Sequence, residues 1–209
     1  MIDLVTHLGM HRLLPVLVLD DATTAASLGA VLVEAGLPLA EVTLRTSDAL
    51  AALEQMAAVP GLVVGAGSVV SADQVDEVAG VGGRFVVSPG LQLPVVERCA
   101  ALGLPCLPGV ATPSELMAAQ AAGLNAVKLF PAHLIGGPAA VEAMSGPFPA
   151  MRFVPTGGVD ERTLPAYLAQ AAVLAVGGSW MVPRELVRTG AFEQIRSTVA
   201  AATQLAGEY

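Results

Sequence analysis

The chain has 209 residues, of which 54% are hydrophobic and 13% are charged, and its formal net charge at pH 7 is −8. This length and composition predict one globular domain over residues 1–209 and exclude a disordered chain. The basic residues are dispersed, whereas a general nucleic-acid surface needs clustered cations, so no nucleic-acid partner is expected.

The location of the protein is predicted from its apolar runs, its first residues and its cysteines. Runs such as residues 13–19 are much shorter than the about 20 residues of a membrane-spanning helix, so they predict buried strands and no membrane partner. The segment 1–7 has an acid where a secretory signal would carry basic residues. Cys99 and Cys106 lack CxxC spacing and are interpreted as reduced core thiols. These features together predict a cytoplasmic protein.

Short β-like runs alternate with alanine-rich segments of helical spacing along the whole chain. Eight strands are predicted, at 13–19, 40–45, 62–67, 84–88, 105–108, 126–130, 152–156 and 173–178. Eight helices are predicted, at 22–36, 47–59, 71–81, 92–102, 112–123, 137–145, 160–170 and 191–206. Start signals at Ser71 and Thr112 and terminal glycines at Gly36, Gly103 and Gly123 support these bounds.

Strict alternation of strands and helices indicates a parallel sheet, and eight such units predict an α/β fold, a (β/α)8 TIM barrel. The leading segment around residues 2–9 is expected to form an extra N-terminal helix that caps the bottom of the barrel. The alternative is a doubly wound sheet, but no strand is followed by the G-x-G-x-x-G pattern of a dinucleotide crevice.

Polar residues share one face of several predicted strands. Side chains alternate along a strand, so Glu41, Thr43 and Arg45 lie on one face of the second strand. By the same alternation, Lys128 lies on one face of the predicted sixth strand and Thr156 lies on one face of the seventh. If those faces line the barrel interior, these side chains converge near the catalytic opening. A structural ion pair between Glu41 and Arg45 is the alternative.

Lys128 is the only lysine of the chain and lies in an apolar run, Ala126-Val127-Lys128-Leu129-Phe130-Pro131. Burial disfavours an ammonium ion and favours the neutral amine, which is the nucleophilic form. The leading hypothesis is therefore imine formation with a carbonyl substrate. The alternative is an amine that reaches solvent past Phe130.

Glycine-rich turns follow the seventh and eighth strands, at residues 157–158 and 177–178. Consecutive N–H groups in such turns can bind an anion, and barrels often bind phosphate at this position, although tight turns alone also select glycine. The segment 180–186 is expected to supply a short helix whose N-terminus faces the phosphate. No histidine has metal-ligand spacing, so neither a catalytic metal nor a cofactor is expected.

Seven ordered motifs resemble the class I 2-keto-3-deoxy-6-phosphogluconate (KDPG) and 4-hydroxy-2-oxoglutarate (KHG) aldolases. They are Glu41-Val42-Thr43-Leu44-Arg45-Thr46, Gly65-Ala66-Gly67-Ser68-Val69, Ser88-Pro89-Gly90, Pro108-Gly109-Val110, Val127-Lys128-Leu129-Phe130-Pro131-Ala132, Pro155-Thr156-Gly157-Gly158 and Gly177-Gly178-Ser179-Trp180. They span most of the chain. The resemblance implies cleavage of KDPG, a phosphorylated 2-keto-3-deoxy sugar acid, to pyruvate and glyceraldehyde 3-phosphate. It extends to KHG, which is cleaved to pyruvate and glyoxylate, and it implies a homotrimer.

The resemblance also implies residue roles. Lys128 corresponds to the Schiff-base lysine and Glu41 to the general acid/base. It implies that Arg45 and Ser68 contact the carboxylate and carbonyl of pyruvate, and that Pro89 and Phe130 form the walls of the pyruvate pocket. It implies that Thr156 contacts the substrate hydroxyls. The phosphate is implied to bind at Gly157, Gly158, Gly178 and Ser179.

Two residues depart from the family pattern. Ser68 replaces the more usual threonine, and His133 stands where many members have an acid, so its effect on substrate preference is left open. Two other functions remain as alternatives from the residues: an isomerase or synthase on another phosphate-binding barrel, and a non-catalytic metabolite-binding barrel.

Overall fold

The computed structural model describes residues 3–209, and its strands and helices alternate along the chain. The strands are β1 Leu13–Leu17, β2 Leu39–Thr43, β3 Val63–Gly67, β4 Val86–Val87, β5 Cys106–Leu107, β6 Gly109–Val110, β7 Ala126–Leu129, β8 Arg152–Pro155 and β9 Val176–Gly178. The helices are α1 Leu4–His11, α2 Ala25–Glu34 after a 3-10 turn at Ala22–Thr24, α3 Ala49–Ala57, α4 Ala72–Gly80, α5 Leu93–Leu102, α6 Pro113–Ala121, α7 Pro138–Ser145, α8 Leu164–Leu168, α9 Arg184–Arg188 and α10 Phe192–Ala206.

Every recorded strand pairing is parallel, which gives an α/β fold with a curved parallel sheet. Six strands pair in the order β5-β4-β3-β2-β1-β9, and three pair in the order β6-β7-β8. Isolated parallel bridges join Phe153 to Val173 and Thr156 to Gly177, beside β8 and β9. The eight strands of the sequence prediction are therefore present, but the one at 105–108 is divided. Pro108 lacks an N–H and interrupts it, while its carbonyl still accepts from Lys128 N–H at 2.9 Å.

Capping side chains set the helix ends at the positions that the sequence predicts. The Ser71 hydroxyl accepts from Gln74 N–H, and Thr112 and Glu115 form a reciprocal capping box. Gly103 ends α5 in the left-handed region at φ 67°.

Two helix predictions are wrong in their bounds. The helix expected at 160–170 is only Leu164–Leu168, because the Asp160 carboxylate accepts from Thr163 N–H and holds a turn ahead of it. The short helix expected at 180–186 begins at Arg184, behind Pro183. The segment that follows β9 directly is therefore a turn, so no helix N-terminus lies at residue 180.

The inner face of the sheet is filled by apolar side chains at the amino ends of the strands. Leu14, Leu39 and Phe85 pack there with Leu4 and Leu8 of α1. The predicted cap at the bottom of the sheet is thus confirmed as α1, although residue 2 of the predicted segment lies outside the described residues. Side chains alternate along a strand, so the next inward-facing residue is two positions further on. In these strands that residue lies above this apolar floor, toward the carboxyl end.

Cys99 is buried and Cys106 is half-buried, and both are free. A hydrogen bond with Cys99, together with burial, raises the pKa of Cys106, which keeps that thiol protonated at neutral pH. No helix within residues 3–209 is long and apolar enough to cross a bilayer.

Arg12 joins the end of α1 to the backbone before β9. It adopts φ 61°, and its guanidinium donates to the carbonyls of Val173 at 2.7 Å, Leu174 at 3.1 Å and Leu168 at 3.0 Å. Burial lowers the pKa of Arg12, but the side chain stays charged because arginine titrates far above neutral pH. One cation therefore satisfies three carbonyls near the join between β8 and β9.

We expect Arg12→Ala to lower the free energy of unfolding by about 2 kcal/mol, because three carbonyls lose a charged donor. Urea unfolding followed by circular dichroism measures this. Arg188→Ala is the matched control, since its partner Glu185 is 66% exposed, and it should cost less than about 1 kcal/mol. Equal losses in the two variants would contradict the role given to Arg12.

Candidate active site

Glu41 and Lys128 meet across the interior of the curved sheet. Lys128 Nζ donates to Glu41 Oε1 at 3.1 Å and lies 3.4 Å from Oε2. Glu41 lies on β2, which pairs with β1 and β3, whereas Lys128 lies on β7, which pairs with β6 and β8. The two strands are not neighbours, so the contact spans the interior instead of running along one sheet edge. The predicted convergence of these two side chains is confirmed.

This ion pair is almost fully removed from solvent. The Lys128 residue is 4% exposed and Glu41 is 0% exposed. Taking two charges out of water costs several kcal/mol per ion, and their attraction often fails to repay it. A pair held in this way is a candidate for chemistry more than for stability, since buried titratable groups cluster at functional sites.

Gly67 on β3 gives the Glu41 carboxylate its space. A Cβ placed on Gly67 would overlap the carboxylate, with Cδ only 2.6 Å away. Sequence reasoning grouped Gly67 with a glycine motif but missed this function. β3 pairs with β2, the strand that carries the acid, and it has glycine at both Gly65 and Gly67. This pattern in the sequence could have indicated that Gly67 makes room for the acid.

Phe130 forms an apolar side of the amine's surroundings. Lys128 Nζ lies 5.4 Å from the centre of the Phe130 ring, two residues further along the same strand face. A cation over an aromatic face is attracted by the ring quadrupole, and the ring also excludes water. The structure therefore brings this predicted wall residue to the amine.

Arg45 and Ser68 meet at the carboxyl ends of β2 and β3. Arg45 Nε donates to Ser68 Oγ at 3.1 Å, and Arg45 does not pair with Glu41. The alternative of a Glu41–Arg45 ion pair is therefore wrong. Ser68 has φ +60°, an uncommon conformation for a non-glycine residue, which turns the chain just after β3. Thr43, between Glu41 and Arg45, donates its buried hydroxyl to Leu17 O at 2.8 Å and has no predicted role.

Thr156 and the glycine turn at 157–158 follow β8, whereas Gly177 and Gly178, which are predicted to form a turn, are the last residues of β9, and the turn after it begins at Ser179. The Thr156 side chain is buried and donates to Val154 O at 3.3 Å, and a Cβ on Gly177 would overlap its hydroxyl. Gly157 and Gly158 have φ values of +94° and +73°, which strongly favour glycine. The backbone of the two turns is thus close together, with Gly178 buried and Ser179 exposed.

Pro89 is the predicted site residue with the least direct link to the amine. It is exposed in the turn after β4, where Ser88 Oγ donates to Gly90 O at 2.8 Å. The Pro89 carbonyl packs against Gly109 at the start of β6, where a Cβ would overlap it. This places Pro89 at the same end of the sheet as the other predicted residues.

Two negative observations concern the part of the chain that the structure describes. Residues 3–209 contain no group of three His, Cys, Asp or Glu side chains placed to hold a metal ion. A cavity of about 400 Å³ lies between α1 and the amino ends of β5 and β7, at the opposite end from Lys128, and none of the predicted site residues lines it. This cavity is therefore separate from the side chains of the candidate site.

Comparison with known proteins agrees with the motifs. The profile of the KDPG and KHG aldolase family matches residues 4–198. The 2-dehydro-3-deoxy-phosphogluconate aldolase of Treponema pallidum is 39% identical over 210 residues, which cover 99% of each protein.

Two solved structures share the fold closely. The KDPG aldolase of Zymomonas mobilis with 3-phosphoglycerate is 38% identical, with a TM-score of 0.90 over 96% of this chain and 95% of that one. The KDPG aldolase of Legionella pneumophila, with pyruvate captured as a covalent carbinolamine, is 35% identical, with a TM-score of 0.91 over 95% of this chain and 97% of that one. The buried amine and carboxylate, the seven motifs and these matches together show that the chain belongs to the KDPG and KHG aldolase family.

Proposed function

We propose that this protein is a class I aldolase, a carbon–carbon lyase, that cleaves KDPG to pyruvate and glyceraldehyde 3-phosphate and also accepts KHG. The observation that carries the proposal is the buried contact between Lys128 Nζ and Glu41 Oε1 at 3.1 Å. It puts the chain's one ε-amine beside one carboxylate in an enclosed interior. Imine chemistry requires a nucleophilic amine with a neighbouring group that can accept and return a proton.

We also propose that the nine strand segments form one closed (β/α)8 barrel. Three observations support it. Only Pro108 separates β5 from β6, so they act as one strand. Two bridges link the β8 region to the β9 region. The opposite edge strands thus meet, and the predicted site residues lie within strands or in the turns that follow them.

The first chemical step is attack by the neutral Lys128 amine on the C2 carbonyl of the substrate. Glu41 is close enough to take the proton that the ammonium must lose. Addition gives a carbinolamine, and Glu41 returns that proton to the carbinolamine hydroxyl, so water leaves, a protonated imine forms and Glu41 is again a carboxylate. The positively charged nitrogen can then accept the electron pair of the C3–C4 bond.

The second step is cleavage. Glu41 removes the proton of the C4 hydroxyl while the C3–C4 electron pair moves toward the imine nitrogen, so the aldehyde leaves and an enamine remains. Glu41 then returns its proton to C3, which gives the pyruvyl imine. Water hydrolyses this imine and releases pyruvate and free Lys128. One carboxylate thus accepts and donates the same proton.

The other predicted residues fit the rest of the substrate. Arg45 and Ser68 offer an exposed cation and a hydroxyl for the pyruvate carboxylate, with Phe130 and Pro89 as walls. Thr156 is assigned to the substrate hydroxyls. The phosphate is assigned to the turns that contain Gly157, Gly158, Gly178 and Ser179, where glycine permits close approach of backbone N–H groups.

The two alternatives from the sequence fit the site less well. An isomerase needs the lysine only to polarise a carbonyl, and a metabolite-binding protein needs no buried amine at all. Neither gives a reason for the cost of enclosing Lys128 together with Glu41.

We expect borohydride reduction in the presence of pyruvate to attach the three-carbon acid to Lys128, because reduction traps an imine. Intact mass and peptide mapping measure this. Lys128→Met is a sharp control, since it removes the only ε-amine of the chain. An unmodified wild-type protein, or equal labelling of the variant, would contradict the proposal.

We expect Glu41→Gln to lower kcat by about 10²- to 10⁴-fold, because the carboxamide cannot move the proton. Pyruvate trapping should fall much less than the exchange of pyruvate methyl protons with deuterated water, measured by NMR. Glu185→Gln, on the exposed surface, is the matched control. Undiminished methyl exchange in Glu41→Gln would remove Glu41 from the mechanism.

The homotrimer remains a prediction, supported by exposed apolar side chains on three consecutive units: Val70 before α4, Leu93 on α5 and Met117 on α6. Light scattering after size-exclusion chromatography should give about three times the chain mass of 21.1 kDa. A mass equal to one chain at micromolar concentration would contradict it. The cytoplasmic location also remains a prediction, and the two free thiols are consistent with a reducing compartment.

A further inference from the structure

His133 lies directly against the turn that the proposed function assigns to phosphate. The backbone N–H of His133 donates to Gly157 O at 3.0 Å, and the backbone N–H of Ala132, the preceding residue, donates to Thr156 O at 2.8 Å. The segment after β7 therefore runs beside the segment after β8. A Cβ on Gly158 would overlap His133 Cβ and lie 3.0 Å from Cγ and 3.5 Å from Cδ2. The imidazole thus begins at the surface of the glycine turn.

The side chain of His133 is exposed, and no carboxylate of the described residues forms an ion pair with it. Among the described residues, none of the ion pairs includes His133. Asp160, the first acid after the turn, already accepts from Thr163 and pairs with Arg162. Arg152, on the preceding strand, donates to Pro149 O. The imidazole is therefore available to an anion at this turn.

We propose that His133 is a specificity-determining residue that favours phosphorylated over unphosphorylated substrates. Its ring N–H donates to the terminal phosphate held by the Gly157–Gly158 turn. Lys128 cannot serve this purpose, because it is engaged with Glu41.

The proposal rests on the proposed aldolase function and makes a separate claim within it. A group that contacts only the phosphate should change KM for KDPG and leave the chemical step alone. KHG has no phosphate, so it provides an internal reference. A structural role of His133 would instead move the kinetic constants of both substrates together.

The test compares wild type, His133→Ala and His133→Gln, with Leu134→Ala as the control, because Leu134 is the next residue and is 79% exposed. In His133→Ala we expect KM for KDPG to rise about five- to tenfold with little change in kcat. The ratio of kcat/KM for KDPG to that for KHG should fall by the same factor. His133→Gln keeps a side-chain N–H donor at a different position and should be intermediate. A ratio equal to that of wild type, or parallel losses for both substrates, would overturn the proposal.

A second measurement does not depend on aldolase activity. Trp180 is the only tryptophan, and its ring packs against Gly178, where a Cβ would overlap it. Its fluorescence therefore reports on the other phosphate turn. Titration with inorganic phosphate should give a dissociation constant about five- to tenfold larger in His133→Ala than in wild type. Equal constants would reject the role of His133, whereas failure of pyruvate trapping in wild type would reject the aldolase function alone.

Discussion

The buried contact between Lys128 and Glu41 is the constraint on which the rest of the structure depends. The two residues are separated by 87 positions and come from strands that do not pair. The curvature of the parallel sheet brings them to 3.1 Å. The desolvation of both charges must be offset by their mutual attraction and by the packing of the whole fold around them. The site therefore requires the curvature of the sheet and the packing around it.

Two kinds of residue make that contact possible without reacting. Leu4 and Leu8 of α1 close the amino end of the interior, so the charges lie above a dry floor. Gly67 leaves the volume that the Glu41 carboxylate fills. Apolar residues thus exclude water from below, while the absence of a side chain creates room from the side. Rigid packing of this kind holds catalytic groups in place before substrate arrives.

The strands and most helices could be predicted because period-two and period-3.6 patterns, capping residues and terminal glycines are local signals. The convergence of Lys128 and Glu41 in the interior could be predicted from side-chain alternation and parallel topology, whereas their direct hydrogen bond is known only from the structure. Other features depend on geometry that the sequence does not carry. The Arg45–Ser68 contact and the space at Gly67 arise from neighbours brought together by folding. The helix α9 begins only at Arg184, because Pro183 has no N–H to donate within a helix, although the position after the last strand predicts a short helix at 180–186.

The burial of the sole lysine also determines how the surface of this protein reacts. Amine-directed reagents, including fixatives, biotin esters and cross-linkers, find no ε-amine on the exterior, because that group is enclosed beside Glu41. Modifiers of lysine that act on folded proteins, such as acetyl donors, meet the same barrier. A label that does reach the amine must enter as a small electrophile through the mouth of the site. The exterior thus offers no lysine side chain to such reagents, and the one ε-amine of the chain lies in the interior.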